Sequence, residues 1–181
     1  MTRTLMLTGL LVAYAAITLP LPARGGSKFD PLDSRPHRVE SLIVAQRFRE
    51  ALPLALELRR NFPTEPEVAY WVAIIQGGLG AAEEAAAWDD YVRLSPEPLD
   101  ACPAWPAAFE RAGRGDRALE IYERCAALDA RDPARLHDLA GAYARAGRRD
   151  AANDAYRRAA ALDPDDPAIQ EHAGMIAGAA Q

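Results

Sequence analysis

Residues 142–164, AYARAGRRDAANDAYRRAAALDP, and residues 108–130, AFERAGRGDRALEIYERCAALDA, are identical at 13 of 23 aligned positions and begin 34 residues apart. Self-similarity at a fixed period of that length marks an array in which each unit is one small supersecondary element. Such a unit cannot bury its apolar face alone, so it stacks on its neighbours, and at least three are needed for a stable core. The 181 residues leave room for about four units with flanking segments.

Numbering the last unit from Pro133 puts Leu136 at position 4, Leu139 at 7, Ala140 at 8 and Tyr143 at 11. Ala152 then falls at 20, Tyr156 at 24, Ala159 at 27 and Pro164 at 32. This pattern resembles the tetratricopeptide repeat, a helix–turn–helix with large residues at 4, 7, 11 and 24, small ones at 8, 20 and 27, and a closing proline. Small residues let the paired helices approach closely, while large ones fill the space between successive hairpins. Gly147 sits where the helices must turn. Asp132-Pro133 and Asp166-Pro167 each set an N-cap carboxylate before a proline suited to a first helical turn. The resemblance implies an all-α fold, a right-handed superhelical solenoid of about four hairpins closed by a C-terminal capping helix.

Stepping back through the chain gives units 32–64, 65–98, 99–132 and 133–166, with 167–181 as the cap. In the third unit Phe109, Ala118, Tyr122 and Cys125 keep the pattern, but Pro103 and Pro106 are expected to shorten or kink its first helix. The second unit has Trp71, Ile75, Trp88, Tyr91 and Pro96 in place; Glu84 stands where a small residue belongs, and Gly77-Gly78 marks a shifted turn. The first keeps Leu42, Ala51 and Pro63 after a one-residue slip, with Pro53 expected near the start of its second helix. In the cap, Ile169, Ala173 and Ile176 form a one-sided apolar stripe.

The first 30 residues differ from all of this. Arg3 precedes an uncharged run, Thr4 to Ala23, whose apolar part from Leu5 to Leu19 is shorter than the ~20 residues of a membrane crossing. Residues 1–23 therefore read as an export signal or an uncleaved membrane anchor, followed by a linker over 24–31. No cysteine lies near residues 15–25, which excludes a lipid-anchored form. The expected location is outside the cytoplasm, periplasmic or tethered to the membrane facing the periplasm. A formal net charge of −5 argues against nucleic acid as a partner.

Chemistry is sparse. Trp71, Trp88 and Trp105 recur at half-repeat spacing, on positions that are core in this kind of array. His37, His137 and His172 show no metal-ligand spacing, and no HExxH or CxxC occurs. Arg114-Gly115-Asp116 is read as an interhelical turn with Asp116 capping the next helix, and the LDPDDP stretch as a helix-to-helix turn too short for calcium. No cofactor, metal or catalytic set is expected. Cys102 and Cys125 fall at positions 4 and 27 of one unit, which face each other in an antiparallel hairpin; a disulfide there would close a loop contributing about 3 kcal/mol.

What remains is the inner face that the resemblance implies, with Tyr70, Gln76, Arg111, His137, Asp138 and Arg145 as candidate partner contacts. The paired Lys and Asn with which some family members hold a peptide's carboxylates are absent. This face suits an extended or helical segment of another protein. The expected function is a non-enzymatic scaffold in the cell envelope. An assembly factor for an envelope complex such as cytochrome c maturation, a small-ligand groove, and homo-oligomerisation are the alternatives.

Overall fold

The computed structural model of the chain describes residue 29 and residues 32–95 and 98–172. The N-terminal segment 1–23, most of the linker, Pro96, and Ala173 and Ile176 of the expected cap stripe lie outside the described residues. Within them the chain is helical and has no strand. Eight α-helices run in pairs: α1 Arg35–Val44, α2 Phe48–Asn61, α3 Pro66–Leu79, α4 Glu84–Leu94, α5 Trp105–Arg111, α6 Gly115–Leu128, α7 Pro133–Arg145 and α8 Arg149–Leu162. A further helix begins at 167 and is described to 172. Each helix packs on the next in chain order, and α1 also reaches α3. No described helix is long and apolar enough to cross a membrane.

The interhelical turns share one geometry. In the third unit Gly113 N–H donates to Glu110 O at 2.9 Å and Arg114 N–H to Phe109 O at 2.9 Å, the paired bonds of a Schellman ending that need a left-handed residue. Gly113 and Gly147 supply it, with φ of 70° and 74°. In the second unit the left-handed residue is Gly80, φ 63°, which corrects the expected Gly77-Gly78 turn. Those two glycines lie inside α3 for a different reason. A Cβ at Gly78 would come within 2.3 Å of the Phe48 ring, and one at Gly77 within 2.7 Å of Glu84 Oε1. They are points of close approach between helices. In the first unit Gln46 takes the left-handed conformation, φ 55°.

At helix starts, Asp132 Oδ1 accepts from the amides of Ala134 and Arg135 at 2.9 and 3.3 Å. Asp166 Oδ1 does the same for Ala168 and Ile169 at 2.8 and 3.3 Å. Asp116 behaves otherwise. It lies within the first turn of α6, whose N-cap, Arg114, makes no side-chain cap bond. The acidic side chain there acts through the helix dipole alone. Pro53 is the sixth residue of α2, deeper than the first turn, so it removes one internal hydrogen bond.

The core grades along the array. Trp71, Trp88 and Trp105 are each 1% exposed, and with Tyr70, Phe109, Ile75 and Leu58 they form one cluster across the first three units. Toward the C-terminus, Leu119, Leu136, Leu139 and Ile169 bury a smaller seam beneath the capping helix. Between the two helices of the last hairpin a small cluster of Ala140, Ala152, Ala155 and Tyr156 is buried, with Tyr143 packed against it. Tyr122 packs on both the large cluster and the seam.

The prolines of the third unit act as expected. A 3-10 turn over Leu99–Ala101 precedes an α5 of only 7 residues, with Pro106 in its first turn. The irregular stretch is tied to α6 by the Cys102–Cys125 disulfide, Cα–Cα 5.7 Å, and both cysteines are buried.

Candidate functional site

The first helices of the second to fourth units, α3, α5 and α7, lie in a row and carry all six expected contact residues. Two side-chain pairs show how the row is registered. Arg145 Nη2 on α7 donates to Glu110 Oε1 on α5 at 2.5 Å, and His137 Nε2 on α7 meets His172 Nδ1 of the next helix at 3.2 Å. Both pairs span 35 residues, one more than the period, so position n of one first helix stands beside position n+1 of the next. That offset is the signal from which both pairs could have been found in the sequence. His172 Nδ1 also faces Ala168 O at 2.8 Å, and its ring lies parallel to Tyr156, with ring centroids 5.0 Å apart. The two histidines thus help seat the capping helix.

The six residues divide. Tyr70 is only 1% exposed, its ring edge-on to Trp88 and Tyr91. It belongs to the core and offers no surface to a partner, contrary to the expectation from its position. Burial, with the Asp100 carboxylate nearby, pushes its hydroxyl up to about 12. Tyr91 donates to both oxygens of Asp100 at 2.6 and 2.8 Å, and burial and that bond hold its proton well above the ordinary phenol range. Gln76 is 9% exposed and lies at the end of α3. Toward the C-terminus the row opens: Arg111, Asp138 and Arg145 are exposed and His137 is half-buried.

Arg111 is fixed from behind. Its Nε and Nη2 donate to Glu84 Oε2 and Oε1 at 3.0 and 2.5 Å, a two-pronged bond across the second and third units. Glu84 is 5% exposed and occupies the position that is small in the repeat pattern. Gly77 gives its carboxylate the room. Arg145 likewise combines its bond to Glu110 with a place over the Tyr122 ring, 5.9 Å from the centroid.

A cavity of about 90 Å³ opens beside this row, between the third and fourth units. Its walls are Cys102, Pro103, Tyr122, Cys125, Asp132, Ala134, Arg135 and Asp138. The irregular stretch before α5 forms one side of it and the start of α7 another. Burial pushes the Asp138 carboxyl above the usual carboxylate range, with His137 opposing that shift. Burial also raises the Tyr122 hydroxyl to about 12, aided by Glu110 and Asp138. Among the described residues no three His, Cys, Asp or Glu side chains converge as metal ligands.

Paired antiparallel helices, left-handed glycines at the turns, small residues where the helices cross and one registry along the row decide the architecture. The chain folds as a tetratricopeptide-repeat solenoid. Residues 133–176 match the family model described as Tetratricopeptide repeat. Among solved structures, this repeat solenoid is similar to MamA 41-end from Desulfovibrio magneticus RS-1, with 22% identity, 78% of this chain and 80% of that one covered, and a TM-score of 0.69. A second MamA crystal structure gives 16% identity, coverage of 76% and 81%, and a TM-score of 0.68. YrrB, described as a TPR protein with an unusual peptide-binding site, gives 15% identity, coverage of 78% and 73%, and a TM-score of 0.67. No curated protein sequence matches the chain. At these identities the likeness carries the fold.

Proposed function

We propose that the protein is a non-catalytic, exported interaction scaffold that holds a segment of a partner polypeptide along the row formed by α5, α7 and the capping helix. The observation that carries this reading is that Arg111, Asp138 and Arg145 are exposed on one row, while Glu84 and Glu110 hold the two arginines from neighbouring repeats. Polar groups fixed before a partner arrives lose little side-chain entropy on binding. YrrB's described peptide-binding site, on a similar fold, supports the same use of the architecture. Export is supported by the apolar run near the N-terminus and by a disulfide, a bond that persists in oxidising compartments.

The test is in-cell photo-crosslinking. A crosslinking residue in place of Arg145 or His137 is expected to trap one partner protein. The same residue in place of Arg157, on α8 with 70% of its side chain exposed, is expected to trap none. Capture from Arg157 but from neither row position would overturn the groove reading. Alkylation of the same cells without reduction should leave both cysteines unlabelled; two labelled thiols would contradict the exported, oxidised form.

A further inference from the structure

The cavity beside the disulfide has a charge balance of its own. Three charged side chains line it: Asp132, Arg135 and Asp138. Arg135 is committed, donating from Nε to Asp132 Oδ2 at 2.7 Å and from Nη1 to Leu99 O at 3.5 Å. Asp132 is committed to that arginine and to the start of α7. Glu110, nearby on α5, is taken by Arg145. Asp138 is left over. Its side chain is exposed, no hydrogen-bond donor is placed on its carboxylate among the described residues, and Arg145 and His137 act on it only electrostatically. With Glu110 and Arg145 counted, three carboxylates stand against two guanidiniums and leave one negative charge in excess at the cavity. Its remaining walls are apolar or aromatic: the disulfide, Pro103, Ala134 and Tyr122.

A cavity of about 90 Å³ holds several water-sized groups, at about 10–15 Å³ each. An alkyl stem ending in a cation matches both the apolar walls and the unmatched carboxylate. We propose that this cavity is the socket for one lysine or arginine side chain of the bound partner, with Asp138 as its counter-ion. The proposal rests on the groove reading for its occupant and adds the chemistry of the anchor. Pro103 and the Cys102–Cys125 bond form one wall of the socket.

The test uses the full, oxidised chain and four pentapeptides, acetyl-Ala-Ala-Xaa-Ala-Ala-amide, with lysine, arginine, norleucine or glutamate at Xaa, followed by amide NMR shifts. The lysine or arginine peptide is expected to give saturable shifts at Cys102, Ala134 and Asp138, and norleucine and glutamate none there. Asp138→Asn should weaken cation binding about tenfold, the loss of one charge-assisted hydrogen bond. Ala134→Trp, at an exposed wall position, should block the socket with all charges intact, which keeps the test decisive if Asp138→Asn folds poorly. Norleucine binding as well as lysine, no saturable shift from either cation, or undiminished binding in both variants would each overturn the socket. The crosslinking experiment fails separately. Groove capture that persists in Asp138→Asn, through partner segments lacking a basic residue, sinks the socket and leaves the groove; absence of groove capture sinks the groove while the peptides still report on the socket.

Discussion

The second hairpin and the last one meet the same packing requirement with different side chains. At position 24 the second has Trp88, 1% exposed, and the last has Tyr156, 8% exposed. Around Trp88 lie Tyr70, Tyr91 and the rest of a cluster spanning three units; around Tyr156 lie alanines and two histidines. Small residues bring helices close and need little else, so the last hairpin follows the repeat pattern almost residue by residue. The second hairpin buries larger side chains and departs from the pattern, with Gly78 under Phe48 and a carboxylate at position 20. The hairpin most faithful to the pattern therefore has the thinnest core.

The largest test of that contrast is truncation at position 24. Trp88→Ala should cost about 3–5 kcal/mol, because the void lies inside a cluster that cannot collapse onto it. Tyr156→Ala should cost at least about 1 kcal/mol less, since its cavity lies at the array's end beside groups able to relax. Urea denaturation measures both. Equal losses would mean that the end hairpin is as tightly determined as the middle, and the contrast would fall.

A second test bears on Glu84. A buried carboxylate at a position meant for a small residue is tolerable only because Arg111 reaches it. Arg111→Ala should cost about 1–3 kcal/mol by leaving that charge unmatched, and Glu84→Ala introduced on top should recover most of it. A double-mutant cycle should give a coupling of about 1 kcal/mol or more. Additive losses would show that the pair merely sits on the surface of an already sufficient core.

These cases also show why some of the molecule could be read from its residues and some could not. Asp132, Asp166, Gly113 and Gly147 act on amides and carbonyls within a turn of themselves, so their roles follow from near neighbours in the chain. The tryptophans were legible because position within the repeat fixes which face they occupy. Tyr70 sits at a position expected on the inner face, yet Tyr91 and Trp88 come from the adjoining helix to cover it; burial depends on the neighbour's size, which a positional rule ignores. The His137–His172 pair needed the one-residue offset between successive first helices. The cavity at Asp138 needed more, namely how the irregular stretch before α5 sits against the start of α7.

The smallest expected effect tests whether the first hairpin is held to the same turn geometry as the rest. Gln46 N–H donates to Ile43 O at 2.9 Å and Arg47 N–H to Leu42 O at 2.8 Å, the same paired bonds that close the other three turns. There the left-handed residue is glycine; here it is glutamine, φ 55°, whose Cβ makes that conformation unfavourable by about 1–2 kcal/mol. Gln46→Gly removes the strain but frees the unfolded chain at that point, which returns part of the gain. The net expectation is a stabilisation of about 0.5–1 kcal/mol in urea denaturation. A loss instead would mean that the glutamine side chain holds the turn, and that the first hairpin is not closed by the rule governing the other three.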